Sequence, residues 1–180
     1  DVREAGDLIT SHDTALNVNP RYPAELQPRD RTRVASQAQL ANIRSGLQPD
    51  RMAESRTLAE GAPIVGPEGV VESGNIRTIG LRSLYEEGHA NGQSYREWLI
   101  ANADRFGLDA EAVRGMKSPV LVRLRTQEMS PEARVAFARE ANQPSVASFS
   151  ASETAVSDAA QMKPDLLDLF KSGTGEDITN

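Results

Sequence analysis

The spacing of apolar residues predicts a β-hairpin followed by helices in the middle of the chain. Two β-branched runs, at 63–65 and 70–72, flank the tetrapeptide GPEG, which is typical of two antiparallel strands joined by a tight turn. Apolar residues then recur every three or four positions over 76–87 and 94–107, which predicts two amphipathic helices. Ser94, followed three residues later by glutamate, is the predicted N-cap of the second helix.

Shorter elements are predicted on both sides of this region. The segment 7–11 has the composition of a first strand, and 32–47 has that of a helix ended by a glycine. The segment SPVLVRLRT, at 118–126, alternates and predicts a strand on which Arg123 and Arg125 point away from the valines, towards solvent.

The order of the elements predicts an α+β fold, with a small mixed sheet, surrounding helices and a helical C-terminal part. Three prolines keep an arm at about 17–33 extended. Ser130, followed by proline, is the N-cap of the first C-terminal helix. We expect one domain over 1–162, and a short helix with a flexible tail over 163–180.

Charge is unevenly distributed along a chain that is acidic overall. The 180 residues carry a net charge of −6, but 21–56 contains seven arginines against four carboxylates. Arg29, Arg31 and Arg33 in this stretch are candidate contacts to a nucleic-acid backbone. The alternative is that these arginines are solvated or paired with acids.

The residue types in the chain exclude several kinds of chemical site. The chain has no cysteine, which excludes disulfides, thiolate catalysis and Cys-based zinc sites. His12 and His89 are far apart in the sequence and expected at the surface, so no histidine metal cluster or Ser-His-Asp triad is predicted. No apolar run approaches the roughly 20 residues of a membrane span, and we predict a cytoplasmic protein with no membrane contact. The chain opens with DVREAGD, without methionine or signal peptide, and is expected to be a piece of a longer protein.

The junction between the hairpin and the next helix is a candidate anion site. Ser73, Gly74 and Asn75 form a turn there, and Arg77 falls in the first turn of the helix. A helix start has free N–H groups and the positive end of a dipole. Glycine allows a phosphate to approach the backbone, and a guanidinium adds a fork of donors. The sequence therefore predicts a phosphate-binding turn at this junction.

Several segments in order resemble the ParB/sulfiredoxin-fold superfamily. GAPIVGPEGVVESGNIRTIGLRSLYEEG is similar to the hairpin and Gly-x-x-Arg box of that fold. NPRYPAELQPRDR and IRSGLQP resemble its upstream segments, while PVLVRLRT and REANQPSVASFSASETA resemble its downstream ones. The pattern is most similar to the ParB-like domain of large phage and plasmid multi-domain proteins of the defence-against-restriction type. The resemblance implies other domains of a larger parent protein as partners.

The resemblance also implies which residues meet a ligand. In ParB proteins the Gly-x-x-Arg box contacts the triphosphate of a nucleotide, and Gly74 and Arg77 match its ends. Asn75 stands where ParB has glutamate and sulfiredoxin has cysteine, and Ile76 replaces an arginine. The implied ligand is a nucleoside triphosphate with Mg²⁺, or a nucleic-acid backbone.

A second motif of the family is incomplete here. Glu140 and Asn142 resemble the start of its Glu-Asn box, with one extra residue between them and no arginine where the box ends. Both residues are candidate nucleotide contacts, although they could also simply end a helix. The same kind of alternative applies to the first box: Gly74 could be only a turn residue, and Arg77 could pair with Glu72 or Glu86.

Three functions of different classes remain open from the sequence. The first is a module that binds a phosphate-bearing ligand at the Gly-x-x-Arg turn. The second is a weak nucleotidase or nuclease, for which Glu72, Asn75, Glu140 and Asn142 are the acid/base candidates; the missing arginines leave enzymatic activity uncertain. The third is a non-catalytic interaction or scaffold domain with a degraded nucleotide site.

Overall fold

The structure is a computed structural model that describes residues 1–26, 34–55 and 57–142. These residues belong to Asp1–Ser145, the first of two units into which the chain divides. Arg29, Arg31 and Arg33 lie outside the described residues, as does the predicted division of the chain at residue 162.

Helices and very short strands alternate through the described part of the chain. Its helices are α1 Val34–Gly46, α2 Asn75–Glu86, α3 Ala90–Ala101, α4 Ala110–Gly115 and α5 Pro131–Ala141. Its strands are β1 Val2–Glu4, β2 Ile64–Val65, β3 Val71–Ser73, β4 Pro119–Leu121 and β5 Arg123–Leu124. Single 3-10 turns occur at Ala5–Asp7, Ala24–Leu26, Pro49–Met52 and Ala103–Phe106. Among these residues, no helix has the length and apolarity that a membrane crossing requires.

The strands form two small sheets, one of them mixed. Strands β1 and β4 pair antiparallel, with Val2 opposite Leu121. In the other sheet β2 is central, antiparallel to β3 and parallel to β5. The mixed sheet and the helices around it confirm the predicted α+β class, and the β2–β3 pair confirms the hairpin.

The predicted strand at 118–126 divides between the two sheets. The backbone N–H of Val122 donates to Asp1 O over 2.8 Å, whereas that of Arg123 donates to Pro63 O over 2.8 Å. Val122 therefore pairs with the first residue of the chain, whereas Arg123 pairs with the residue that precedes β2. Val120, Leu121 and Val122 are all buried, so both faces of this segment are covered.

The main core lies between α2, α3 and the strands. Leu81, Tyr95, Leu99, Val113 and Val120 are fully buried at its centre. The hydroxyl of Tyr95 accepts a hydrogen bond from the backbone N–H of Leu121, which satisfies the one polar atom that this side chain carries into the core. Burial raises the pKa of the Tyr95 hydroxyl above its ordinary value.

Helices α1 and α2 pack closely where α2 carries a glycine. A Cβ at Gly80 would lie 2.6 Å from Ile43 Cγ2, so a larger residue would push the helices apart. This contact places α1 beside the first turns of α2 and forms one wall of the cleft described below.

Three sequence predictions are wrong in detail. The first strand is Val2–Glu4 and not 7–11, where Ile9 makes a single parallel bridge to Val70. Helix α3 begins four residues before Ser94, since His89 Nδ1 accepts from the N–H of Asn91 and caps it. His12 is not at the surface: it is 4% exposed, and its Nδ1 lies 3.0 Å from Ser11 Oγ.

Candidate functional site

The Gly-x-x-Arg box lies at the turn that joins β3 to α2. Gly74 is the residue before α2 and has left-handed backbone angles, φ +85° and ψ 20°. A Cβ at this position would also lie 3.1 Å from Pro63 Cα. Glycine is therefore required here by the turn itself, whether or not an anion binds.

The two residues beside Gly74 face the protein interior. Ser73 is 1% exposed, and its one hydroxyl hydrogen is shared between Leu58 O and Ala141 O, which lie 3.2 and 2.9 Å from Oγ. Asn75 is also 1% exposed. Its Oδ1 accepts from the N–H of Ser11 over 2.8 Å.

The amide nitrogen of Asn75 completes a buried polar cluster. Its Nδ2 donates to Val71 O over 2.9 Å and to the hydroxyl of Tyr22 over 3.2 Å. That hydroxyl in turn donates to Val71 O over 2.8 Å. Asn75 thus ties the N-terminal segment to the start of α2, a role that residue spacing gave no means of predicting.

Arg77 differs from the rest of the box because it is half-buried and also lines a cleft. Its Nη1 donates to Ala59 O over 2.6 Å. Arg77 is also one of the residues that line a cleft of about 750 Å³, although its Nε and Nη2 are buried. Arg77 is therefore the residue of the box that both contacts the protein's own backbone and borders the cleft.

The cleft lies between α1, the Pro49–Met52 turn and the segment that precedes β2. Its walls carry two arginines and two glutamates, so its formal charge is balanced. Ile43, Leu47 and Met52 add apolar side chains to the lining. The residues that line it are Asn42, Ile43, Gly46, Leu47, Gln48, Arg51, Met52, Glu54, Ser55, Glu60, Gly61 and Arg77.

The segment 57–62, which we call the 57–62 loop, supplies Glu60 and Gly61 to the lining of the cleft and bonds to Ser73 and Arg77 at the turn. Arg123 holds this loop from the sheet side: its guanidinium donates to the carbonyls of Thr57, Leu58, Glu60 and Ala62. Burial lowers the pKa of Arg123. The prediction that Arg123 points to solvent is wrong, because the carbonyls of a distant loop fold around it.

A buried ion-pair network joins the hairpin to α5. Glu72 is 0% exposed, and its carboxylate receives hydrogen bonds from Arg125 Nε and Nη2 over 2.8 and 2.9 Å and from Arg134 Nε over 2.6 Å. Arg134 also pairs with Glu68 in the hairpin turn. Hydrogen bonds to Glu72 raise the pKa of Arg125.

Sequence reasoning missed this network. It placed Arg125 in solvent and offered Glu72 as a partner of Arg77 or as an acid/base group. The available signal was a lone carboxylate inside the apolar run VVES, opposite a strand with two alternating arginines. A buried charge needs a partner, and those arginines were the nearest strand-borne candidates.

The predicted Glu-Asn box lies at the C-terminal end of α5. Asn142 Nδ2 donates to Glu72 O over 2.9 Å and to Ala138 O over 2.6 Å, so it attaches the end of α5 to β3. Glu140 is exposed to solvent. The structure thus brings Asn142 to the strand that leads into the Gly74 turn, while the carboxylate of Glu140 faces outward.

No metal-binding cluster is present in the part of the chain that the structure describes: it brings no three His, Asp or Glu side chains together in a way that could hold an ion.

A hairpin that delivers a Gly-x-x-Arg turn to a helix, in a small mixed sheet, defines a ParB-like domain. Comparison with family models agrees: residues 1–126 match the ddrB-like ParB superfamily domain, and the chain belongs to this superfamily. The match includes the Gly74–Arg77 box and ends before α5. No curated protein and no solved structure matched the chain at the significance required.

Proposed function

We propose that this ParB-like domain binds a phosphate-bearing ligand, either a nucleoside triphosphate or a nucleic-acid backbone, in the cleft beside Arg77. The observation that carries the proposal is the position of Arg77. It is the last residue of the Gly-x-x-Arg box and one of the residues that line a cleft of about 750 Å³, a volume within the range of small-molecule sites.

The chemistry of the cleft wall suits a single anionic group better than a long polyanion. A charge-assisted hydrogen bond from Arg77 is worth about 1.5–3 kcal/mol, and the dipole of α2 adds roughly 0.3–1 kcal/mol at its first turn. Arg51 supplies a second cation, but Glu54 and Glu60 balance the charge of the lining. A nucleotide, which combines phosphates with an uncharged base, suits a lining of mixed charge.

We include no hydrolytic step in the proposal. Glu72 is buried and hydrogen-bonded to two arginines, which leaves its carboxylate inaccessible to a water molecule in the cleft. Asn75 is likewise committed to internal hydrogen bonds. The acid/base candidates near the turn are therefore structural groups in this arrangement.

Calorimetry with the four ribonucleoside triphosphates and Mg²⁺ tests the proposal. Arg77→Ala should weaken binding by about tenfold or more, since about 1.4 kcal/mol corresponds to a factor of ten. Arg114→Ala is the matched control, because Arg114 is half-exposed and pairs with Glu111 on α4, away from the residues that line the cleft. No heat with any triphosphate at millimolar concentration would rule out the nucleotide version.

The nucleic-acid version has its own test. Backbone binding through arginines should weaken steeply as salt rises, because it releases counterions. Fluorescence anisotropy with a short labelled oligonucleotide across a salt series measures this dependence. An affinity that stays constant from low to physiological salt would contradict backbone binding.

One observation favours the non-catalytic interaction domain as the second candidate. The Gly74 turn is buried, with the 57–62 loop over it and the side chains of Ser73 and Asn75 bonded internally. If Arg77→Ala changes neither the melting temperature nor any ligand affinity, this candidate replaces the first.

A further inference from the structure

The 57–62 loop is held almost entirely through its backbone carbonyls. Arg123 donates to Thr57 O and Ala62 O over 2.9 Å each, and to Leu58 O and Glu60 O from its remaining nitrogen. One side chain thus fixes the loop at four points. A guanidinium is suited to this because it carries five donors in a rigid plane.

The middle of the same loop contacts the Gly-x-x-Arg box. Ala59 O accepts from Arg77 Nη1 over 2.6 Å, and Leu58 O accepts from the Ser73 hydroxyl over 3.2 Å. The loop therefore contacts the last residue of the box and the residue that immediately precedes the box. A neutral carbonyl occupies one of the donors of Arg77 that a phosphate oxygen would use.

The C-terminal end of the loop is closed more firmly. The N–H of Ala62 donates to Ala53 O over 2.7 Å. Gly61 has a φ of +74°, and a Cβ there would lie 2.6 Å from Ala53 O. These contacts fix this end of the loop, so a displacement would fall on its middle, where Ala59 meets Arg77.

We propose that the 57–62 loop is a displaceable cover over the Gly74 turn, and that Arg123 is the positioning residue that sets how firmly the cover closes. This inference rests on the proposed function. An anion exchanges for Ala59 O on Arg77, because a phosphate adds opposite charge and can accept two parallel hydrogen bonds from a guanidinium, whereas Ala59 O is a single neutral acceptor. The exchange exposes the buried amides of the turn to the ligand. The observed affinity is then the intrinsic affinity multiplied by the fraction of molecules in which the cover is open.

Hydrogen exchange and calorimetry on the intact chain test the two parts separately. Without ligand, Arg123→Ala should speed amide exchange in the middle of the 57–62 loop by tenfold or more, while the amide of Ala62, at the fixed end, should change less. With inorganic triphosphate as the probe, the same variant should bind several-fold more tightly than the wild type. Arg123→Lys retains the charge but cannot reach four carbonyls. Its exchange rate and its affinity should lie between those of the wild type and Arg123→Ala, and it replaces Arg123→Ala if that variant does not fold.

Arg96→Ala is the matched control, because Arg96 also donates to backbone carbonyls, those of Met116 and Arg114. It should alter neither loop exchange nor affinity for triphosphate.

The outcomes distinguish failure of the cover from failure of the proposed function. Unchanged loop exchange in both Arg123 variants would overturn the cover, whatever binds. Faster exchange with weaker triphosphate binding would also overturn it, because the loop would then be part of the ligand site. If amide exchange is faster in the variant but neither the variant nor the wild type binds triphosphate, the proposed function is overturned. The replacement of Ala59 O by an anion is then overturned as well. Added triphosphate should also speed loop exchange in the wild type; slower exchange would contradict displacement.

Discussion

Replacing Glu72 by glutamine would preserve the shape of this side chain and remove its charge. In the native protein the carboxylate is fully buried and accepts hydrogen bonds from Arg125 and Arg134. The side chains of these arginines are only 9% and 21% exposed. In the variant both guanidinium groups would keep their charge and face a neutral amide whose NH₂ group cannot accept.

The expected cost follows from this burial. Removing one partner of a buried ion pair costs about 3–5 kcal/mol, because the remaining charge stays desolvated. The Glu72 carboxylate accepts hydrogen bonds from two nitrogens of Arg125 and one of Arg134, so the whole of this range applies. In a chain of this length each kcal/mol lowers the melting temperature by about 2–4 °C, which gives a decrease of about 6–20 °C.

Urea unfolding followed by circular dichroism measures the difference in the free energy of unfolding. The matched control is Glu111→Gln, which removes the carboxylate of an exposed pair with Arg114, whose side chains are 78% and 52% exposed. That change should cost less than about 1 kcal/mol. If Glu72→Gln costs no more than the control, the carboxylate is hydrated in the folded protein and the reasoning from its burial is refuted.

Three further changes test separate parts of the fold. Gly74→Ala should destabilise the protein by about 1–3 kcal/mol in urea unfolding, because alanine would have to adopt left-handed angles; Gly115→Ala, where a Cβ meets nothing within 4 Å, should be close to neutral. Asn75→Ala should cost about 1–3 kcal/mol or more, since a buried backbone N–H loses its acceptor; lost triphosphate affinity at unchanged stability would contradict this. Burial raises the pKa of Glu4, but hydrogen bonds from Ser118 and neighbouring amides outweigh it and hold that pKa below its ordinary value of 4.5. The stability from Glu4 is therefore present above that value and lost as pH falls through the lower folded pKa, so thermal melts of Glu4→Gln should differ from wild type at neutral pH and converge in acid.

The elements that could be predicted from sequence are those specified by local interactions. The hairpin follows from two β-branched runs around GPEG, and α2 begins within a residue of its predicted start. Ser130 caps α5 as predicted, accepting from the N–H of Ala133. Each of these features depends on residues within a few positions of one another, so one sequence is enough to recognise it.

What could not be predicted depends on partners that are distant in sequence. Arg125 meets Glu72 across 53 positions, and Arg123 meets the carbonyl of Ala62 across 61. Strand alternation assigns these arginines to a face but does not say whether another segment covers that face. The predicted N-cap of α3 is wrong for a different reason. The imidazole of His89 caps this helix, and the capping-box pattern that begins at Ser94 lies within the helix.

The way arginine is used in this fold bears on how its charge should be interpreted. The strands contain only two or three residues each, so sheet hydrogen bonds can satisfy few backbone groups, and the connecting segments need other partners. Arg82 donates to the carbonyls of Ala5 and Leu8, and Arg123 to those of the 57–62 loop. Burial lowers the pKa of both arginines, which is the electrostatic cost of that scaffold role.

An excess of arginines in such a fold is therefore weak support for a polyanion partner, and position relative to open space becomes the discriminating property. Arg77 shares the scaffold role through its bond to Ala59 O, yet it also lines the cleft. Replacing a purely structural arginine by lysine should lower stability and leave ligand affinity unchanged. For Arg77 we expect lysine to preserve part of the ligand affinity, because the charge remains at the cleft wall, while the loop contact weakens. That separation between stability and affinity is what the two roles of one guanidinium require.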